Sequence, residues 1–245
     1  MSAVSLAGFS SHTNGVSNWY LVEENGKLTV VDAGVPADWR RLLKTLEDRS
    51  LALSAVDCVI LTHAHSDHTG FAERARTETG SSARVHKADV AVAKGAAAGK
   101  NEGGMARYLI RVEAYRTLFG IIRGGGLRIV PLVEAITFDD GEVLDVPGRP
   151  RVVHVPGHTL GSCALWFERK RALCTGDALV TRNPMTGRRG PQIMPSGLNR
   201  DSALALQSLE RLLETKAALL FPGHGDSWNQ GVERAVEAAR RAGRS

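Results

Sequence analysis

The chain has 245 residues, 43% of them hydrophobic and 5% aromatic, enough to bury a substantial core. No stretch approaches the ~18 consecutive apolar residues of a membrane span, and the opening MSAVSLAGFSSHTNGVSNWY lacks the basic start and apolar run of a secretion signal, so a cytoplasmic protein is expected. The net charge of +5 is spread over stretches that also carry Glu, which leaves no specific nucleic-acid signature.

In chain order, SHTNG (11–15) leads into WYLVEENGKLTVVDAG (19–34), two β-rich runs about Asn25-Gly26, the dipeptide best suited to a tight hairpin. A helix follows over DWRRLLKTLEDRS, then the strand VDCVIL, which ends in THAHSDH. The second half repeats this order: GHTLG (157–161), the paired runs of CALWFERKRALCTGDAL, a helix over DSALALQSLERLLETK, and AALLF running into PGHGD. That helix carries Leu204, Leu206, Leu209, Leu212 and Leu213 at spacings that fit one face packed on a sheet. Two copies of hairpin, helix and strand predict an α/β fold, an αββα four-layer sandwich with two sheets face to face and helices outside. The expected organisation is a single domain over 1–245, with a helical insertion at about 95–128 between the halves. Cys58, Cys163 and Cys174 sit one each in apolar runs, an odd count in no CxxC spacing, and read as buried small hydrophobes.

In the sandwich, loops at matching strand ends converge on one edge. His63 and His65 then point to the same side and can bind one ion, with Asp67 and His68 reaching a neighbouring position. His158 and His224, each leaving an apolar run in a glycine-bearing turn, can supply further imidazoles. Asp177 offers a carboxylate able to bridge two ions ~3.5 to 4 Å apart. Four metal-competent residues within six positions have no packing rationale without a cation.

This pattern, HxHxDH followed by a later His, an Asp and a final His, resembles the metallo-β-lactamase superfamily from Tyr20 to His224. The resemblance implies that His63, His65 and His158 hold a first metal, that Asp67, His68 and His224 hold a second, and that Asp177 bridges them. It further implies two divalent ions, zinc foremost with iron or manganese as alternatives, a metal-bridging hydroxide as nucleophile, and Asp67 as the proton shuttle. Asp32, in VDAG, is then expected behind the ligands. His12 is expected to be a relic of the repeat or a distal donor, and His86 and His154 structural.

Asp177 stands where β-lactamases of the superfamily carry Cys or Ser, and Val180 where the resembling lactonases carry Tyr. In the insertion, Met105, Tyr108, Leu109, Val112, Tyr115, Phe119 and Ile122 form one helical stripe between glycines, expected as a lid, or as a structural or homodimer helix. Tyr108 and Tyr115 are then candidate substrate contacts, and Arg182 a candidate partner for a substrate anion. The expected function is hydrolysis of a small ester, thioester, lactone or related molecule. Two alternatives stand beside it: a mononuclear iron persulfide dioxygenase, and a non-catalytic binding protein on the same fold.

Overall fold

The computed structural model describes residues 4–127 and 129–244. A seven-stranded sheet runs in sequence order: β1 (Val4–Leu6), β2 (Phe9–Thr13), β3 (Asn18–Glu24), β4 (Lys27–Val31), β5 (Val56–Leu61), β6 (Ser82–His86) and β7 (Ile136–Phe138). A second, four-stranded sheet combines β8 (Arg151–His154), β9 (Cys163–Phe167), β10 (Ala172–Gly176) and β13 (Leu219–Pro222), with β13 beside β10 and β8 at the opposite edge. Strands β11 (Val180–Arg182) and β12 (Arg189–Gln192) pair apart from both. The helices are α1 (Trp39–Asp48), α2 (Ser66–Thr69), α3 (Ala72–Thr79), α4 (Val90–Ala93), α5 (Val112–Arg123), α6 (Ser202–Ser208), α7 (Glu210–Leu213) and α8 (Val232–Ala242). Among the described residues, no helix is long and apolar enough to cross a membrane.

The repeat is visible in the pairing. In the first half β3 pairs antiparallel with β2 and β4, and β4 takes β5 in parallel after a helix. In the second, β9 pairs antiparallel with β8 and β10, and β10 takes β13 in parallel, again after helices. The first hairpin turns on Asn25 and Gly26, both at positive φ (53° and 73°), the conformation a two-residue turn needs to match strand twist.

Period-two alternation sorts side chains into layers. Trp19, Leu21, Leu28, Val30, Val59 and Leu61 face α1 and α3 across one core. Tyr20, Val22, Val31, Cys58 and Ile60 face inward, onto Val152, Cys163, Leu165, Phe167 and Cys174 of the other sheet. Phe9 locks the two sheets, stacking on Phe221 at 4.5 Å and meeting Phe167 edge-on at 5.0 Å. The outer face of the second sheet packs under α6, α7 and α8. The result is the four-layer αββα sandwich. All three cysteines are free and buried.

Two helical expectations need correction. The helix expected over 201–216 breaks after Ser208 into α6 and α7, and its buried line is Ser202, Ala205, Ser208, Leu209 and Leu212, with Leu204, Leu206 and Leu213 only partly covered. In the insertion the chain makes a short turn at Met105–Tyr108 and then α5, and the predicted stripe divides: Tyr108 is buried, while on α5 Val112 is 65% exposed, Phe119 64% and Tyr115 55%. The face turned to the body is held by close contact. A Cβ on Gly120 would stand 2.4 Å from Val16 Cγ2, and one on Gly124 2.4 Å from Val35 Cγ2, so both glycines are packing points. An apolar stripe reports periodicity, and here the helix is anchored through its small residues instead.

Candidate metal centre

The loops after β5, β8, β10 and β13 meet at one edge of the sandwich. The first runs through His63 and His65 into α2, which carries Asp67 and His68. His158 follows β8, Asp177 directly follows β10, and His224 follows β13. Each strand is apolar and fixed by the core, so the polar residue after it is placed by the sheet.

Ligand atoms lie within 4.8 Å of one another in three overlapping groups: His63, His65 and His158; His63, His68 and Asp177; Asp67, His68 and His224. Asp177 joins them. Its Oδ2 is 3.1 Å from His224 Nε2, 3.4 Å from His158 Nε2 and 3.7 Å from His63 Nε2, and its Oδ1 is 3.5 Å from His68 Nε2. Asp67 Oδ2 lies 3.6 Å from His224 Nε2 and 3.7 Å from His68 Nε2. Such closeness depends on Gly223, where a Cβ would sit 2.1 Å from Asp177 Oδ1.

The distal ring nitrogens decide which atoms face the centre. His68 Nδ1 donates to Asp32 Oδ2 at 3.0 Å, and His224 Nδ1 to the Val16 carbonyl at 2.6 Å. The Thr62 hydroxyl, which donates to Asp32, accepts from His63 Nδ1 at 3.1 Å. Asn199 spends its amide hydrogens on the Met194 carbonyl and Ser202 Oγ, so its Oδ1 is left to accept from His158 Nδ1 at 3.2 Å. Four rings are thereby held in the tautomer whose Nε2 lone pair points into the site. The fifth, His65, brings Nδ1 to 2.9 Å from His158 Nε2.

This donor set fits divalent cations. His63 Nε2, His68 Nε2 and Asp177 Oδ1 are buried without a hydrogen-bond partner, at a cost of about 1–3 kcal/mol each if nothing met them. Burial pushes His63, His65 and His158 towards the neutral, metal-competent form, His158 to about 3. Burial alone would also lower His68, but Asp177, Asp67 and Asp32 outweigh it and raise the ring to about 10. In His224 burial is likewise outweighed, chiefly by Asp177, and the pKa rises. For Asp177 itself burial would raise the pKa, yet the imidazoles of His224, His68 and His63 hold it well below the usual carboxylate range. The protein therefore stabilises positive charge at the Asp177 end, the charge that cations supply on displacing protons.

Residues 12–224 match the profile of the metallo-beta-lactamase superfamily. The chain belongs to that superfamily. YobT of Bacillus subtilis (strain 168), an uncharacterised protein, is 25% identical over 231 residues, covering 92% of this chain and 90% of its own. A hydroxyacylglutathione hydrolase of Cereibacter sphaeroides is 33% identical over 156 residues, which are 63% of this chain and 44% of the hydrolase. Among solved structures, TTHA1623 in a di-iron-bound form superposes with a TM-score of 0.62 at 22% identity, covering 94% of this chain and 96% of its own.

Within this superfamily member, Asp32 sits behind the site at φ 59°, a left-handed conformation costly for a non-glycine residue. Its carboxylate accepts from the Thr62 amide at 2.8 Å besides binding Thr62 Oγ1 and His68. His12 lies outside, stacked on Trp19 at 4.0 Å, and His86 stacks on His154 at 4.2 Å. Tyr108 and Tyr115 line a cavity of about 310 Å³ that opens onto His65, Asp67, His158, Asp177 and His224. Arg182 is absent from that lining: it is paired with Glu113 of α5 at 2.6 Å, so the anion contact expected of it has no support in its placement.

Sequence reasoning missed Asp89, whose carboxylate accepts from Ala64 N at 3.1 Å, Thr159 Oγ1 at 2.7 Å and Gly161 N at 2.8 Å, tying the His63 loop to the His158 loop. It also missed Thr62, Asn199 and the Val16 carbonyl. The last links the centre to α5, because Gly120 abuts the Val16 side chain. Gly120→Val should push Val16 aside and weaken binding of a second ion about 10- to 100-fold with little effect on the first. Stepwise zinc titration of the stripped protein checks this, and adding Val16→Ala should recover most of the loss.

Proposed function

We propose that this protein is a dinuclear metal-dependent hydrolase of a small ester, thioester, lactone or related molecule, with zinc as the metal. The observation that carries the reading is the buried set of unpartnered ligand atoms around Asp177, flanked by two three-residue groups and opening into one cavity. His63, His65 and His158 would hold one ion, Asp67, His68 and His224 the other, with Asp177 between them. Divalent ions held there bring the pKa of water towards neutrality and polarise a carbonyl oxygen.

The chain's own residues do the rest. Asp32, Thr62, Asn199 and the Val16 carbonyl hold the imidazoles in register, and Asp67 is placed to take a proton on the carboxylate oxygen not given to the ion and return it to the leaving group. Asp67 is the less buried of the two central carboxylates, with 14% of its side chain exposed, and it lines the cavity where a substrate would lie. The cavity suits a small-molecule partner. Similarity to the hydroxyacylglutathione hydrolase and to the di-iron-bound structure supports ester-type chemistry at a two-metal centre.

Elemental analysis of protein purified without chelator tests this directly. Two zinc ions per chain, loss of esterase, thioesterase or lactonase turnover on chelation and its return with zinc are the expected results. A single iron per chain with persulfide-dependent oxygen uptake would replace the hydrolase by a mononuclear dioxygenase.

A further inference from the structure

The cavity in front of the centre has a chemical character of its own. Beyond the ligands its wall is built from Met105, Met185, Met194, Leu118, Leu198 and Ile121, closed by Tyr108. Three thioethers give that wall adaptability, since methionine fills irregular space through soft, rotatable contacts. Among the described residues lining it there is no lysine or arginine.

The nearby cations are occupied or lie elsewhere. Arg182 is bound to Glu113, which also takes Arg116 at 2.6 Å. Arg107 donates to Ser196 Oγ and stacks over the Tyr108 ring, and is not itself a lining residue. Arg200 lines an adjoining cleft of about 50 Å³ that shares Asn101, His65 and His158 with the larger cavity, and is absent from the larger cavity's lining. A carboxylate placed against the wall away from the metal ligands would therefore be desolvated against methyl and thioether groups with no cationic side chain beside it, which is unfavourable.

We infer that the group occupying this cavity is a neutral, apolar chain, and that the site discriminates against substrates carrying a carboxylate there, such as glutathione-type conjugates. This rests on the proposed hydrolase for the position of the scissile bond, but the selection itself is a property of the wall. Ala114, Thr117, Leu118 and Ile121 of α5 line the cavity together with Tyr115 from its exposed stripe, so α5 contributes to selection.

The test uses metal-loaded protein and two hydroxamic acids, which ligate metal without being turned over. Octanohydroxamic acid and its analogue ending in a carboxylate in place of the terminal methyl differ only at the far end. Calorimetry should find the methyl-terminated compound at least tenfold tighter, and affinity in the alkyl series should rise up to about fourfold per methylene until the cavity is full. Leu118→Arg, at a half-exposed helix position, should narrow or reverse the preference while leaving metal content unchanged. Equal or tighter binding of the carboxylated compound by the unmodified protein, or no binding of either, would overturn the inference. Apolar preference in binding together with no hydrolysis of any ester, thioester or lactone would leave it standing and remove the hydrolase.

Discussion

Asp177→Ala should bring the metal content from two ions per chain to one or fewer and reduce turnover by at least about a thousandfold, as expected when a two-metal clamp is dismantled. Its two oxygens stand within 3.1 to 3.7 Å of ring nitrogens of His63, His68, His158 and His224. It is also a fully buried negative charge at the centre, so its removal would leave two closely spaced cations with Asp67 as the remaining carboxylate among the candidate ligands. Asp177→Asn separates shape from charge, and retention of two ions in that variant would mean that geometry suffices. The fold should survive, because the residue follows β10 and belongs to none of the hydrophobic cores. Inductively coupled plasma analysis beside circular dichroism reads both quantities on one sample. An unchanged metal count in the alanine variant would remove Asp177 from its joining role.

Asp67→Asn should be the second severe change, with turnover falling about 10²- to 10⁴-fold, the range for loss of a positioned acid–base group. Asp67 turns Oδ2 to the His68 and His224 rings and lines the cavity, so its carboxylate is placed to carry a proton between the centre and a bound substrate. Affinity for the second ion should also drop, since an amide oxygen is a poorer ligand than a carboxylate. Saturating zinc distinguishes the effects: occupancy should be restored and turnover should not. Full activity in the zinc-saturated variant would exclude proton transfer by Asp67.

The parts of the site that are legible in the sequence are those made of consecutive residues. The VDCVIL strand occupies the predicted span, and HxHxDH is a dense local pattern whose chemistry is evident from its residue types and spacing alone. The repeat foretells which loops share an edge, because strand order constrains loop position. What stays hidden is the support behind the ligands. Asp89, Asn199 and Thr62 act through contacts with residues distant in the chain, and the Val16 carbonyl belongs to the backbone, which has no identity in a sequence. The insertion misleads for a different reason. Met105 to Ile122 do show apolar periodicity, but a turn at Leu109–Arg111 interrupts the helix, and Gly120 and Gly124 bring its other side against the body. Arg182 lies close to Asp177 in sequence, which suggests an anion contact, whereas Glu113, 69 positions earlier, holds its guanidinium.

The meeting of His65 and His158 has a mechanical meaning as well. Their ring nitrogens are 2.9 Å apart although the residues stand 93 positions apart in the chain, and each belongs to a different sheet's loops. An ion gripped by both is a removable rivet through the two halves of the sandwich. By the loop-closure relation for cross-links, pinning a loop of that length takes on the order of 4–5 kcal/mol of entropy from the unfolded chain. Stripping the metal should thus loosen the seam between the sheets before it disturbs either outer core, and metal supply would set how long the folded molecule lasts as well as how fast it works.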